Sequence, residues 1–268
     1  MLDTFGFPTP QQSNYQEFYG GGTTRDWLKP RGASMVRFML IGAGGGGGIG
    51  TAVVGGGGGG SGAVTSWIGP AIFIPDVLRI SIGAGGTSGV NATATTVIYQ
   101  AKNGTGYTLL TANGGGSGIA GSNAGAAGTA STNNYFGTSG IFRSTAGQVG
   151  VAGSSAGAGG DITASTTTFL SGGSGGSGGS AAAGGTVATN YGYPGLPATT
   201  AGGIVIGASG YFITQPILLG CGGAGGTTSN TIGSAGGRGG IGCGGGGGGE
   251  DALSGGQGGD GAVFIWSW

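Results

Sequence analysis

The chain has 268 residues, of which 77 are glycine, 6% are charged and none is histidine; the formal net charge is zero. An ordinary domain has about 7% glycine and about 25% charged residues. Neutrality gives no grip on a nucleic-acid backbone or an anionic membrane, and the lack of histidine removes the commonest general base and metal ligand. The chain is also 37% hydrophobic, which argues against disorder. Its 8 prolines, with no strict Gly-X-Y period, exclude collagen.

Residues 1–26 mix aromatics, prolines and polar residues without a period. They read as an arm, either draped on the surface or docking into a larger assembly, with Phe5, Phe7, Tyr15, Phe18 and Tyr19 as docking candidates. Acidic Met1-Leu2-Asp3 is not followed by a basic segment and an apolar core, so no signal peptide is expected. Trp27–Gly32 is a lead-in turn, and Met35–Ile41 is an apolar strand. The uncharged stretch Phe38–Val64 is too rich in glycine for a membrane span. Leu78, Ile80 and Ile82 alternate with polar residues as in a half-buried strand. Thr95–Gln100 and Tyr107–Ala112 flank Asn103-Gly104, a hairpin signal. At the far terminus Val263–Trp268 forms a strand with Phe264, Trp266 and Trp268 on one face. The two terminal strands are expected to meet and close the domain. Cys221 and Cys243 could form one bridge, but two buried thiols fit better than a disulfide framework.

The remainder carries a three-residue period. Ser171, Ser174, Ser177 and Ser180 are separated by glycine pairs, and Gly236–Ile241 and Gly255–Asp260 repeat the triplet. Three residues make one turn of polyproline II, which has no internal hydrogen bonds. Glycine lets such helices approach backbone to backbone, so that N–H groups bond neighbouring carbonyls. Dense bonding between helices must offset a backbone ordering cost of about 1–2 kcal/mol per residue. The reading is therefore a mainly β and irregular fold with almost no α-helix. It comprises a β-rich part over 27–113, a bundle of polyglycine (polyproline II-type) helices over 114–262, and a closing strand over 263–268. In each triplet the non-glycine residue is expected to face outward.

Catalytic residues are poorly supplied. Asp3, Glu17 and Asp26 fall in or beside the arm, Glu250 and Asp251 are adjacent, and nothing in the spacing pairs Asp161 with a second carboxylate. Gly255–Asp260 matches only half of a calcium-binding nonapeptide and is not tandem. No catalytic residue, metal or cofactor is expected. Recognition is better supplied, by aromatics among Ser, Thr and Asn: Asn134, Tyr135, Phe136 and Phe142; Phe169; Tyr191, Tyr193 and Leu196; Tyr211 and Phe212. Rigid aromatics with small polar neighbours are the mix of antibody binding loops. The bland alternative is that they cap the bundle internally.

Lys29-Pro30-Arg31-Gly32, the strand and glycine run over Val36–Gly48, the run Gly55–Gly60 and the closing Gly261–Trp266 occur in an order that resembles the glycine-rich domain of bacteriophage tail-fibre and receptor-binding proteins. The body is also similar to the tip adhesin of T-even-like long tail fibres. That resemblance implies a polyglycine sandwich whose intervening segments bind a host cell-surface receptor, either a protein loop or a glycan, and whose other partners are virion structural proteins. It also implies a virion-surface location reached without export. Those adhesins carry a dedicated attachment domain, for which 1–26 is short. A purely structural virion decoration is the second reading, and an ice-binding protein the third. None of the three is an enzyme, binds nucleic acid or spans a membrane.

Overall fold

The computed structural model describes residues 14–102, 104–121, 123–132, 135–163, 169–178, 182–188, 196, 205–214, 219–229, 232–252 and 254–268. The strands are β1 (Asn14–Phe18), β2 (Thr24–Leu28), β3 (Met35–Ile41), β4 (Val64–Pro70), β5 (Val77–Ser81), β6 (Thr95–Gln100), β7 (Gly106–Ala112) and β8 (Ile141–Thr145), then the short β9 (Phe212–Ile213), β10 (Leu219–Gly220), β11 (Thr228–Ser229) and β12 (Ile232–Gly233), and finally β13 (Ala262–Ser267). Among the described residues the only helix of α or 3-10 type is the short segment Ala71–Phe73, and no helix there is long and apolar enough to cross a membrane.

A five-stranded sheet in the order β1-β13-β3-β4-β8 faces a four-stranded sheet in the order β2-β5-β6-β7. The terminal strands pair directly, Val263 opposite Leu40 and Ile265 opposite Phe38, as the closure reading expects. The hairpin of β6 and β7 forms too, with a register shift at Val97/Ile98. Alternation puts Val36, Phe38, Leu40, Trp67, Val263 and Ile265 on the inner face of the first sheet. Trp27, Leu78, Ile80, Val97 and Leu110 meet them from the second. Trp27 packs edge-on against Phe38 at 5.5 Å. Burying each such side chain stabilises the fold by about 1.5–3 kcal/mol.

At one end of this sandwich the strands pass into glycine helices without a break. The β3–β4 pair continues as two antiparallel helices, 42–48 and 55–63, in which Gly42, Gly45 and Gly48 donate to the carbonyls of Ala63, Gly60 and Gly57. The helix 55–63 shows the governing rule. Its residues 55, 58 and 61 donate to Ser154, Val151 and Gln148; residues 56, 59 and 62 to Gly248, Gly245 and Gly242; residues 57, 60 and 63 to Ile119, Gly116 and Asn113. Its carbonyls accept from three further helices, at Gly45 and Gly48, at Gly125 and Gly128, and at Gly173 and Gly176. Every third N–H returns to the same neighbour, the bonding of a helix with three residues per turn. Six neighbours surround it. The stretch 243–250 is likewise enclosed, with bonds to 171–177, 45–48, 234–237, 56–59, 223–226 and 256–259.

Only glycine permits this spacing. A Cβ at Gly58 would lie 1.9 Å from the Gly173 carbonyl oxygen, and one at Gly247 1.9 Å from that of Gly56. Side chains return where a helix meets water: Ala124, Ala126 and Ala130 are exposed while Gly125 and Gly128 are buried, and Ala146, Val149 and Ala152 are exposed beside buried Gly150. A Cβ on these faces ends the packing, much as charged residues blunt a sheet edge.

Three sequence expectations need correction. Residues 14–18 and 24–26 belong to the sheets and not to an arm, because β1 pairs with β13 and β2 with β5; their alternating polar residues conceal that Phe18 and Trp27 are buried. The bundle is not confined to 114–262, since 42–48 and 55–63 lie at its centre and β8 returns to the sheet. The serines of the triplets point inward: Ser171, Ser174 and Ser177 are all buried. Their hydroxyls occupy backbone bonding positions. Ser174 Oγ donates to the Gly185 carbonyl at 2.8 Å and accepts from the Gly225 N–H at 2.8 Å, and Ser171 Oγ accepts from the Gly222 N–H at 2.6 Å. In the other triplets Arg238 is exposed, as expected, and Gln257 is half-buried.

Candidate recognition site

The sandwich end remote from the bundle is built by connections that leave its strands. β4 runs toward this end and enters the 3-10 turn Ala71–Phe73; β5 starts there at Val77; β6 and β7 reverse there. Lys29 anchors the turn, its Nζ donating to the Ile74 carbonyl at 2.7 Å and pairing with Asp76 at 2.9 Å. The segment before β8 folds over the same end, where the Tyr135 N–H reaches the Leu109 carbonyl.

These pieces enclose a cleft of about 830 Å³. Its walls are Phe73, Pro75, Tyr99, Tyr107, Leu109, Tyr135 and Phe136, with Gly137, Thr138 and Ser139 at one side. Phe136 is held by the buried Trp67 ring at 4.5 Å. Tyr107 and Tyr135 lie 6.4 Å apart at 48°, and Tyr99 stands directly opposite Tyr107 across the β6–β7 ladder. Tyr135 is 63% exposed and Phe73 54%. None of the ten lining residues is charged. Concave, largely apolar sites with a few polar groups are where small ligands bind.

Of the expected recognition residues, Tyr135 and Phe136 enter this cleft. Phe142 packs against the sandwich core. Tyr211 and Leu196 pack with Ile162, Val187 and Cys221, and Phe212 stacks on Phe264 at 6.4 Å and 10°. Phe169 is half-buried beside Gly220, whose N–H bonds its carbonyl. These five are engaged within the protein. Asn134, Tyr191 and Tyr193 lie outside the described residues, as do Phe5 and Phe7 of the arm. The remaining arm residues serve the sheet. Phe18 is buried in the sandwich core, Tyr15 stacks on Trp266 at 5.1 Å, and Tyr19 meets Phe264 edge-on and donates to Glu17 at 2.8 Å. Partial burial and the Glu17 carboxylate hold the phenols of Tyr15 and Tyr19 well above their usual pKa.

Sequence reasoning missed Phe73, Tyr99 and Tyr107. The available signal was an aromatic on each side of the Asn103-Gly104 turn, spaced so that the hairpin sets them opposite one another. The cysteines are unbridged and buried. Burial pushes the Cys221 thiol up to about 11 and Cys243 higher still, so both stay protonated and inert at neutral pH. Among the described residues no cluster of three or more His, Cys, Asp or Glu side chains could hold a metal.

The opposite tip, where the bundle ends, has a different character. The turn Ile49–Val54 lies beside Asp251, whose N–H bonds the Thr51 carbonyl at 2.8 Å. Val53, Ile119 and Ile232 are exposed there.

No curated protein matches the chain. Residues 19–267 match a glycine-rich domain family over a span that includes the cleft and every glycine helix described, and the chain belongs to that family.

Proposed function

We propose that the protein is a non-enzymatic receptor-binding adhesin on the surface of a bacteriophage virion, and that the aromatic cleft contacts the host cell. The observation that carries this reading is the cleft itself. Exposed aromatic rings gather at the sandwich end remote from a densely bonded block whose interior has few side chains with which to read a partner. Glycine helices supply stiffness, and specificity has to come from the connections between strands and helices. The virion context rests on the order of lead-in, strand, glycine runs and closing aromatic strand, which resembles that of phage tail-fibre proteins. So many backbone hydrogen bonds suit a protein that meets the outside of a cell.

The test compares adsorption of particles carrying wild-type protein with particles carrying Tyr107→Ala/Tyr135→Ala. Both side chains are substantially exposed, so the variant should fold and assemble while adsorption falls at least tenfold. Unchanged adsorption by correctly assembled particles sinks the cleft as the receptor site. A second reading follows from the exposed Val53, Ile119 and Ile232 at the bundle tip. If adsorption is lost on Val53→Ser/Ile119→Ser and not on the tyrosine change, recognition lies at that tip. If neither matters, the protein is a decoration of the particle.

A further inference from the structure

Resting on that reading, we propose that the cleft takes a neutral carbohydrate, a pyranose-based glycan that carries no acidic or basic group. Three features of the lining select this class. The first is charge. Among the described residues no cation or carboxylate lines the cleft, so a sialylated or phosphorylated glycan, or a basic peptide, would lose hydration without gaining a partner. The second is shape. Tyr99, Tyr107, Tyr135 and Phe73 offer flat apolar faces, and a pyranose presents one flat face of C–H groups to lie on such a ring.

The third feature separates sugar from aliphatic peptide. Among the described residues no hydrogen bond engages the side-chain hydroxyls of Tyr99, Tyr107, Tyr135 or Thr138. A ligand of Leu, Val or Ile side chains would cover these groups and leave them unsatisfied, which is unfavourable. A polyhydroxylated ring can donate to and accept from them while its carbon face stacks. The volume of about 830 Å³ lies within the roughly 300–1,000 Å³ of small-molecule sites. The walls are also fixed in advance: Tyr99 and Tyr107 by the β6–β7 ladder, and Phe136 by Trp67. Little ordering therefore accompanies binding.

Two measurements test the class. The purified full chain is applied to an array of neutral hexose and N-acetylhexosamine oligosaccharides together with sialylated and phosphorylated ones. Neutral glycans should bind, Tyr135→Ala should weaken them at least tenfold, and Tyr135→Phe, which keeps the ring, should weaken them less. Binding confined to acidic glycans overturns the inference. In parallel, host cells are treated with periodate, which cleaves sugar diols, or with protease. Adsorption should be lost after periodate and survive protease. Survival after periodate with loss after protease overturns the carbohydrate and leaves the adhesin standing, because adsorption would still depend on Tyr107 and Tyr135. Adsorption indifferent to both tyrosines instead overturns the receptor reading beneath it.

Discussion

Gly246→Ala is a sharp probe of the bundle. The new Cβ would lie 2.0 Å from the Ala224 carbonyl oxygen and 2.5 Å from its carbon, against ordinary contacts of 3.4 Å or more. One helix must therefore move by more than an ångström. The helix 223–226 cannot move freely, because the N–H groups of Gly223 and Gly226 bond Gly244 and Gly247 at 3.0 and 2.9 Å, and that of Ala224 bonds Ala208 at 2.9 Å. Losing two such bonds in a buried setting costs about 1–3 kcal/mol each for the groups left unpaired, or roughly 2–6 kcal/mol in total. Domain stability is typically about 5–15 kcal/mol. For a chain of this size about 2–4 °C of melting temperature goes with each kcal/mol, so a fall on the order of 5–20 °C is expected. Gly89→Ala is the control. Its φ is +69° with nothing within 4 Å of the added Cβ, so only the left-handed backbone penalty of about 1–2 kcal/mol applies. Thermal unfolding followed by circular dichroism decides the matter. If Gly246→Ala melts with the wild type, or no lower than Gly89→Ala, the backbone contacts are not as tight as argued.

Further outcomes follow from individual groups. Ser174→Ala removes a buried hydroxyl that both donates and accepts and should cost roughly 1–3 kcal/mol, measured by denaturant unfolding; Gln257→Ala, half-buried at the surface, should cost much less. Native protein at pH 8 should resist iodoacetamide at both cysteines, and unfolded protein should react at both, as read by mass spectrometry. Folding raises the Cys221 thiol from 9.0 to about 11, so the folded state holds its proton where the unfolded state releases it. Stability from this group is complete below about pH 9 and is lost as pH rises toward 11; Cys221→Ala should flatten that part of a melting-versus-pH curve. Binding at the cleft should change little over a roughly tenfold range of salt concentration, because none of the described lining residues carries a charge for salt to screen.

Much of the scaffold is legible in the sequence because its signals are local. Seven residues from Met35 to Ile41 are apolar but for Arg37, and the Asn-Gly turn announces the β6–β7 hairpin. The period of three announces the helices because it is also their turn. What stays hidden is relational. Nothing in Gly55–Gly60 tells that this helix is ringed by six others, since glycine runs carry no register. The serine triplet has the same spacing whether its hydroxyls face water or the Gly222 and Gly225 amides. Asn14–Phe18 is polar because it is an edge strand, and so it reads as a tail. The cleft is half legible: Tyr135 and Phe136 stand in a polar segment and invite attention, while Tyr99 and Tyr107 sit within strands and pass for core.

The most direct test of the adhesin reading is competition. Purified chain is added to host cells before the phage particles, and free particles are counted after adsorption. The wild-type protein should occupy the receptor and lower adsorption in a dose-dependent way, whereas Tyr107→Ala/Tyr135→Ala, equally folded by circular dichroism, should not. No inhibition by the wild-type protein, or equal inhibition by the two, would contradict the account.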